Sequence, residues 1–427
     1  MISVILLSIL ILLIILGTPI PLAMGISTIT VFLIAKYPLY LLAQGLITSS
    51  GGWSLLSVLL FLTAGGFMNE LGVTEKLFNF ANGCVGRIKG GLAHVNILAS
   101  MIFAGMSGSA AADVGGLGKI EFKAMSEAGY DHKLIAGITV ASSIIGPIIP
   151  PSISFILYGV MANVSIAKMF VAGIFPGILI GLVLMVQVYI QATLHPEKFP
   201  IPKKINFTEF VLRLKDALLV LLAPVLIILG MTTGFLSPTE AGAGSIIYSL
   251  FIGMIYKSIK IIPLWNALKT AMLQASHAIL LLSLASVMGY IITYERTPQF
   301  IAENLGMIAK NQWSMLLFID IFILLIGCFM SATASLILLT PIFLPIVKNV
   351  GVDPILFGVI MTYGLHIGSA TPPVGMGLFI ISDVTGLSFE DSVKGCAPYL
   401  VALIITLFLI TFLPQITLWL PNILFNK

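Results

Sequence analysis

Two stretches of this chain, residues 105–151 and 327–373, align without a gap at an offset of 222. Each opens on a glycine, Gly105 or Gly327, and enters a small-residue patch, Ser109-Ala110-Ala111-Ala112 or Ser331-Ala332-Thr333-Ala334. Each passes Gly129 or Gly351 and Asp131 or Asp353. It then closes on a glycine and a proline pair, Gly146 with Pro150-Pro151 and Gly368 with Pro372-Pro373. Proline removes a backbone donor and disfavours helix in the residue before it, so each copy interrupts any helix that carries it. Duplicated halves with such breaks inside apolar stretches mark the binding site of a secondary transporter.

The breaks lie in sequence that belongs in lipid. Of 427 residues, 59% are hydrophobic and 9% charged, against roughly 45–50% and 25% in soluble domains. Mean hydropathy is +1.12. Long continuous apolar runs such as 217–236 and 398–420 do not alternate as barrel strands would, so the fold class is an all-α polytopic membrane protein. No basic cluster with interleaved aromatics points to nucleic acid. Cys84, Cys328 and Cys396 have neither CxxC nor metal-ligand spacing and read as small apolar residues. The N-terminus is apolar from its second residue and lacks a basic leader region, so it is expected to be a retained span.

A polar segment, 194–216, separates a first repeat, 1–193, from a second, 217–427. With Pro200, Pro202 and five Lys/Arg, it is expected to be a cytoplasmic loop and surface helix. Lys257 and Lys260, two spans later, return to the same side, which gives the halves opposite topology. Weaker echoes widen the duplication: Gly17 to Pro21 is answered by Gly234 to Pro238, and Gly66 and Thr74 by Gly289 and Thr297. The expected spans are roughly 2–16, 20–35, 54–70, 90–104, 133–145, 152–164 and 168–193, then 217–236, 240–256, 276–294, 313–329, 354–366, 374–382 and 398–420. Several are shorter than the ~20 residues that cross a bilayer. They read as half-helices and re-entrant hairpins.

Carbonyls released at Pro147, Pro150 and Pro151 need another partner in hydrocarbon, and a partly dehydrated Na⁺ takes such oxygens. The same holds around Gly368, Thr371, Pro372, Pro373 and Gly375. Half-helix N-termini at the hairpin tips would face an anionic substrate. Asp113, amid alanines and glycines, is either a cation ligand beside Ser107 or Ser109, or the cap of a helix that begins at Val114. Its counterpart in the second copy is Ser335, so two cation sites would differ in charge. His94, His132, His195, His277 and His366 form no HxxxH or HExxH pair. His366 is expected to be a hydrogen-bonded packing residue, and Arg296 an interface charge rather than a substrate ligand.

Other classes fit less well. Gly105-Met106-Ser107-Gly108 matches the GxSG of an intramembrane serine protease, but that reading leaves the second copy without a purpose. A channel or scaffold does not need paired breaks at membrane depth.

The stretch Gly105 to Asp113, then Gly146-Pro147 with Pro150-Pro151-Ser152, and Gly368 with Thr371-Pro372-Pro373-Val374-Gly375, resembles the large membrane subunit of tripartite ATP-independent periplasmic (TRAP) transporters. The resemblance covers essentially the whole chain. It implies a Na⁺-driven symporter of organic acids in the bacterial inner membrane, with two re-entrant hairpins and an elevator-type inverted repeat. It also implies two partners, a small four-helix membrane subunit and a periplasmic substrate-binding protein. An ion-coupled carboxylate carrier that works without a binding protein is the alternative. Carried over residue by residue, Ser107, Asp113, Gly146, Ile149 and Pro151 match a first sodium site, and Gly368, Thr371 and Met376 a second. Substrate would lie between the hairpin tips near Ser109, Ser331 and Thr333. The amphipathic stretch Pro38 to Gly52 would belong to an arm that docks the small subunit. Among C4-dicarboxylates, sialic acid and other acids, overall likeness favours sialic acid.

Overall fold

Glycine and proline set the helix ends. Gly17, with φ of +79°, and Pro19 separate helix Ile2–Ile15 from Ile20–Ile34. In the second half Gly234, with φ of +75°, and Pro238 separate Phe207–Thr232 from Pro238–Ile255. Such left-handed turns favour glycine because it lacks a Cβ. The computed structural model describes residues 2–200, 206–297 and 311–425, and within these every regular element is helical.

The same order of helices then unfolds twice. Leu39–Ser50 bends by 53° into the helix that ends at Glu70, and its counterpart is one long helix, Ile261–Tyr294. A first hairpin follows, with arms Leu92–Ser107 and Ala110–Glu127, the latter containing a wider π-type turn at Asp113–Leu117. A second hairpin has arms Gln312–Gly327 and Ala332–Asn349. Behind each lies a broken helix: His132–Ser143 with Ile153–Ala162, and Pro354–Gly368 with Met376–Thr385. Ile166–Leu194 closes the first half and Phe389–Phe412 the second. Among the described residues five helices are long and apolar enough to span alone, or six with the bent pair. The first arms of the two hairpins, at 16 residues each, and the half-helices, at 10–15, fall short of the ~20 needed, whereas the second arm Ala332–Asn349, at 18, is one of the five.

Several boundaries differ from expectation. The polar segment is not loop and surface helix to residue 216, because from Phe207 it is already the first turns of a helix that runs to Thr232. Ile261–Tyr294 begins well before the expected 276, since its early turns mix Asn266, Lys269 and Gln274 with apolar residues and dilute the hydropathy. The run 398–420 is not continuous: Pro414 follows the end of Phe389–Phe412, and a new helix covers Gln415–Phe425.

The two halves interlock. His132–Ser143 packs on Phe389–Phe412 at backbone range, so that a Cβ on Gly137 would lie 2.0 Å from the Gly395 carbonyl oxygen. Lys133 and Asp391 close this contact at 2.9 Å. Tyr158 donates to the Pro354 carbonyl at 2.5 Å, and Tyr399 to Gln191 Oε1 at 2.9 Å, each joining one half to the other. Because backbone atoms cannot rotate away, we expect Gly137→Ala to cost about 1–3 kcal/mol, as overpacked cores do. Thermal unfolding of the purified protein checks this, and an unchanged Tm would show that the contact opens freely.

Candidate functional site

The hairpin tips are held by their own breaks. Gly108, at φ of +60°, turns the first tip, where a Cβ would fall 2.4 Å from the Pro151 carbonyl oxygen. Ser109 then caps the second arm, accepting from Ala112 N at 3.4 Å. A Cβ on Gly146 would meet Ser109 C at 3.2 Å. Ser152 caps the restarted helix by accepting from Phe155 N at 3.1 Å and donates to the Pro147 carbonyl at 2.5 Å. In the second copy Ser331 caps its arm at 3.4 Å, Val374 N donates to Cys328 O at 3.2 Å, and Gly375, at φ of +53°, opens the restarted helix. The Pro150-Pro151 and Pro372-Pro373 bonds are both cis.

These tips face a cavity of about 460 Å³, within the range of ligand pockets. Ser109, Ala110 and Ala111 line it from the first hairpin, and Ser331, Thr333 and Ala334 from the second. Ile153 and Met376 begin the restarted helices beside it, and His366 and Ser369 close the end. The opposite wall belongs to other helices: Ile20 and Pro21, Val58 and Leu62, and Gln274, His277, Ala278 and Leu281. Four helix N-termini, at Ala110, Ile153, Ala332 and Met376, thus converge on one volume. A helix start carries N–H groups without intrahelical acceptors and the positive end of a dipole; here Ser109, Ser152 and Ser331 each accept from one such N–H, and Gly377 N donates to Ser369 O. Among the described residues no lysine or arginine lines the cavity. Arg296 is exposed and lies outside it.

Asp113 does not cap a helix. Ser109 does so, and Asp113 sits one turn inside, its N–H donating to Ser109 O at 3.1 Å and its side chain 1% exposed. Its two carboxyl oxygens and the Ser107 hydroxyl are buried with no hydrogen-bond partner among the described residues. The Ser100 hydroxyl faces Asp113 but donates to Ser142 Oγ at 3.1 Å instead. Ser142 in turn donates to Asn96 Oδ1 at 2.8 Å, and Asn96 Nδ2 donates to Glu121 Oε2 at 2.7 Å. Glu121 is therefore a second buried carboxylate in the same hairpin, and spacing alone had assigned it no role.

The other expected cation residues fall in two groups. Ser107, Gly146 and Pro151 gather at the first tip, while the Ile149 side chain packs away on Gly177 and leaves its backbone to the break. Gly368 lies against Gly327 backbone to backbone, with 2.1 Å from a Cβ to Gly327 C. Thr371 Oγ1 donates to Ile367 O at 2.9 Å, which leaves its lone pairs available. The Met376 side chain is 47% exposed and lines the cavity itself.

The second hairpin is not free of charge. Asp320, in its first arm, is fully buried, and its carboxyl oxygens have no hydrogen-bond partner among the described residues. The Thr411 hydroxyl faces it without closing a full hydrogen bond. A lone carboxylate within Leu316-Leu317-Phe318-Ile319-Asp320-Ile321-Phe322 was a signal in its own right. Gln274 and His277 carried no comparable signal, because only packing between the halves turns them toward the cavity. His366 donates from Nδ1 to Thr362 O at 2.6 Å, a packing bond, and also lines the cavity.

The profile of the family described as "Tripartite ATP-independent periplasmic transporter, DctM component" matches residues 7–416. The chain belongs to this family. The large permease of a sialic acid TRAP transporter from Vibrio cholerae serotype O1 is 41% identical over 382 residues, 89% of each chain. The large permease of a C4-dicarboxylate TRAP transporter from Pseudomonas aeruginosa is 36% identical over 402 residues, 94% of each. The YdaH transporter of Alcanivorax borkumensis superposes with a TM-score of 0.60 at 16% identity, covering 88% of each chain, which is a likeness of fold. As a TRAP transporter large permease, the chain is a multi-pass protein of the bacterial inner membrane and a carrier rather than a protease.

Proposed function

We propose that the chain is the carrier subunit of a Na⁺-coupled symporter for organic acid anions. One observation supports this most: four helix N-termini converge on a cavity that, among the described residues, is lined by no cationic side chain, while buried oxygens of Ser107 and Asp113 have no hydrogen-bond partner among those residues. Partial positive charge suits a carboxylate, and orphaned buried oxygens suit a desolvated monovalent cation. In this reading Ser109, Ser331 and Thr333 contact the substrate. Ser107, Asp113, Gly146, Ile149 and Pro151 hold one sodium, and Gly368, Thr371 and Met376 a second.

The cavity lies where the hairpins and broken helices meet Ile20–Ile34, Leu56–Glu70 and Ile261–Tyr294. That boundary is where an elevator would slide, carrying the hairpins with the anion between their tips. Sialic acid and C4-dicarboxylates, named for the relatives, are the two substrate classes to try first. A separate small membrane subunit and a periplasmic binding protein complete the carrier. Helix Leu39–Ser50, in which no residue is buried, is the arm for the small subunit.

Proteoliposomes containing this chain and its small subunit, supplied with candidate acids and the cognate binding protein, test the reading. Saturable uptake that requires the binding protein is expected. Uptake at full rate without it would favour a carrier that works alone, and ion conductance in place of uptake would refute the proposal.

A further inference from the structure

Two histidines face the cavity from opposite walls, and the backbone fixes the tautomer of both. His277 Nδ1 lies 2.9 Å from Leu273 O, and His366 Nδ1 lies 2.6 Å from Thr362 O. A carbonyl oxygen only accepts, so in each ring Nδ1 carries the proton. The neutral imidazole then offers Nε2 as an acceptor, and both rings line the cavity. Among the described residues no aspartate or glutamate lines the cavity. The cavity therefore divides its chemistry: donor N–H groups at the four helix starts, acceptor nitrogens at His277 and His366.

We infer that this site selects acids whose body carries hydrogen-bond donors, that is hydroxylated or N-acylated monocarboxylates, over plain alkanoates and unsubstituted dicarboxylates. The inference rests on the anion-carrier reading and adds to it the residues that choose among anions. A carboxylate at the helix starts meets N–H donors. A second carboxylate turned toward the histidines would meet lone pairs. A hydroxyl or amide N–H there completes a bond that an alkyl chain leaves unmade. Sites built to hydrogen-bond a substrate hydroxyl discriminate against analogues that lack it, most strongly where the polar group is buried, as His366 is, and less at His277, which is exposed. Gln274, one turn before His277 on the same helix face, lines the cavity and can supplement either role.

The test is direct binding to the purified full chain with its small subunit, in saturating NaCl and without binding protein, so that selectivity belongs to the membrane site. The probes are sialic acid, gluconate, hexanoate and succinate. Gluconate and hexanoate share chain length and a single carboxylate and differ in hydroxyls. Sialic acid and gluconate are expected to bind at least about tenfold tighter than hexanoate and succinate. His277→Phe should lower affinity for the two hydroxylated acids about tenfold and leave hexanoate where it was, and His277→Gln, which restores an acceptor, should recover part of the loss. His277 is exposed at the cavity wall, so its replacement does not disturb a packed core. Equal binding of hexanoate or succinate, or a His277→Phe loss that is the same for every acid, would overturn the inference while the carrier reading stands. If no acid binds in sodium, the carrier reading fails and this inference with it.

Discussion

Gly368→Ala should abolish transport and destabilise the protein by about 3 kcal/mol or more, at the upper end for overpacked sites. The added Cβ would lie 2.1 Å from Gly327 C and 2.4 Å from both its Cα and its carbonyl oxygen. All three atoms are backbone, so no rotamer change relieves the overlap, and the second hairpin must lift from its broken helix. The reverse change meets the same wall, since a Cβ on Gly327 would lie 2.8 Å from Leu365 O and 3.1 Å from Gly368 Cα. Thermal unfolding and uptake measured on the same preparation check the expectation. Wild-type Tm with wild-type uptake would show that the hairpin does not need this seat.

Asp113→Ala should weaken sodium activation of uptake by about 100-fold while the protein still inserts and folds. Removing one partner of a buried charge pair typically costs 3–5 kcal/mol, and each 1.4 kcal/mol is tenfold in affinity. The direction follows from the surroundings. The side chain is 1% exposed, and no lysine or arginine among the described residues pairs with it. A carboxylate in that position is costly unless a cation or a proton joins it. If the cation is sodium, its loss moves the sodium dependence and leaves the fold, since no described hydrogen bond is broken by the change. Unaltered sodium activation in Asp113→Ala would remove this residue from the site.

Much of this architecture is legible in the residues because helix breakers act locally. Gly105 to Asp113 and Gly327 to Ser335 place the hairpin tips, and the two Gly…Pro-Pro segments place the broken helices. Proline and positive-φ glycine impose their geometry whatever packs around them. The role of Asp113 was less legible, since a Ser or an Asp can both cap, and only the geometry shows Ser109 doing so. Asp320 and Glu121 are hard to read from sequence for a different reason. Hydropathy averages over a window, and one carboxylate in an apolar run hardly moves the mean. His277 and Gln274 lie beyond any local rule. They enter the cavity because Ile261–Tyr294 packs on Leu56–Glu70, a contact between residues about 200 positions apart.

The coupling of acid to sodium is tested most directly by uptake into proteoliposomes at one fixed acid concentration, under an inward Na⁺ gradient and under an equal K⁺ gradient. Accumulation of the acid above its external concentration with Na⁺, and none with K⁺, is expected if the two proposed cation sites lie beside the proposed anion cavity. Equal accumulation under both gradients would contradict it.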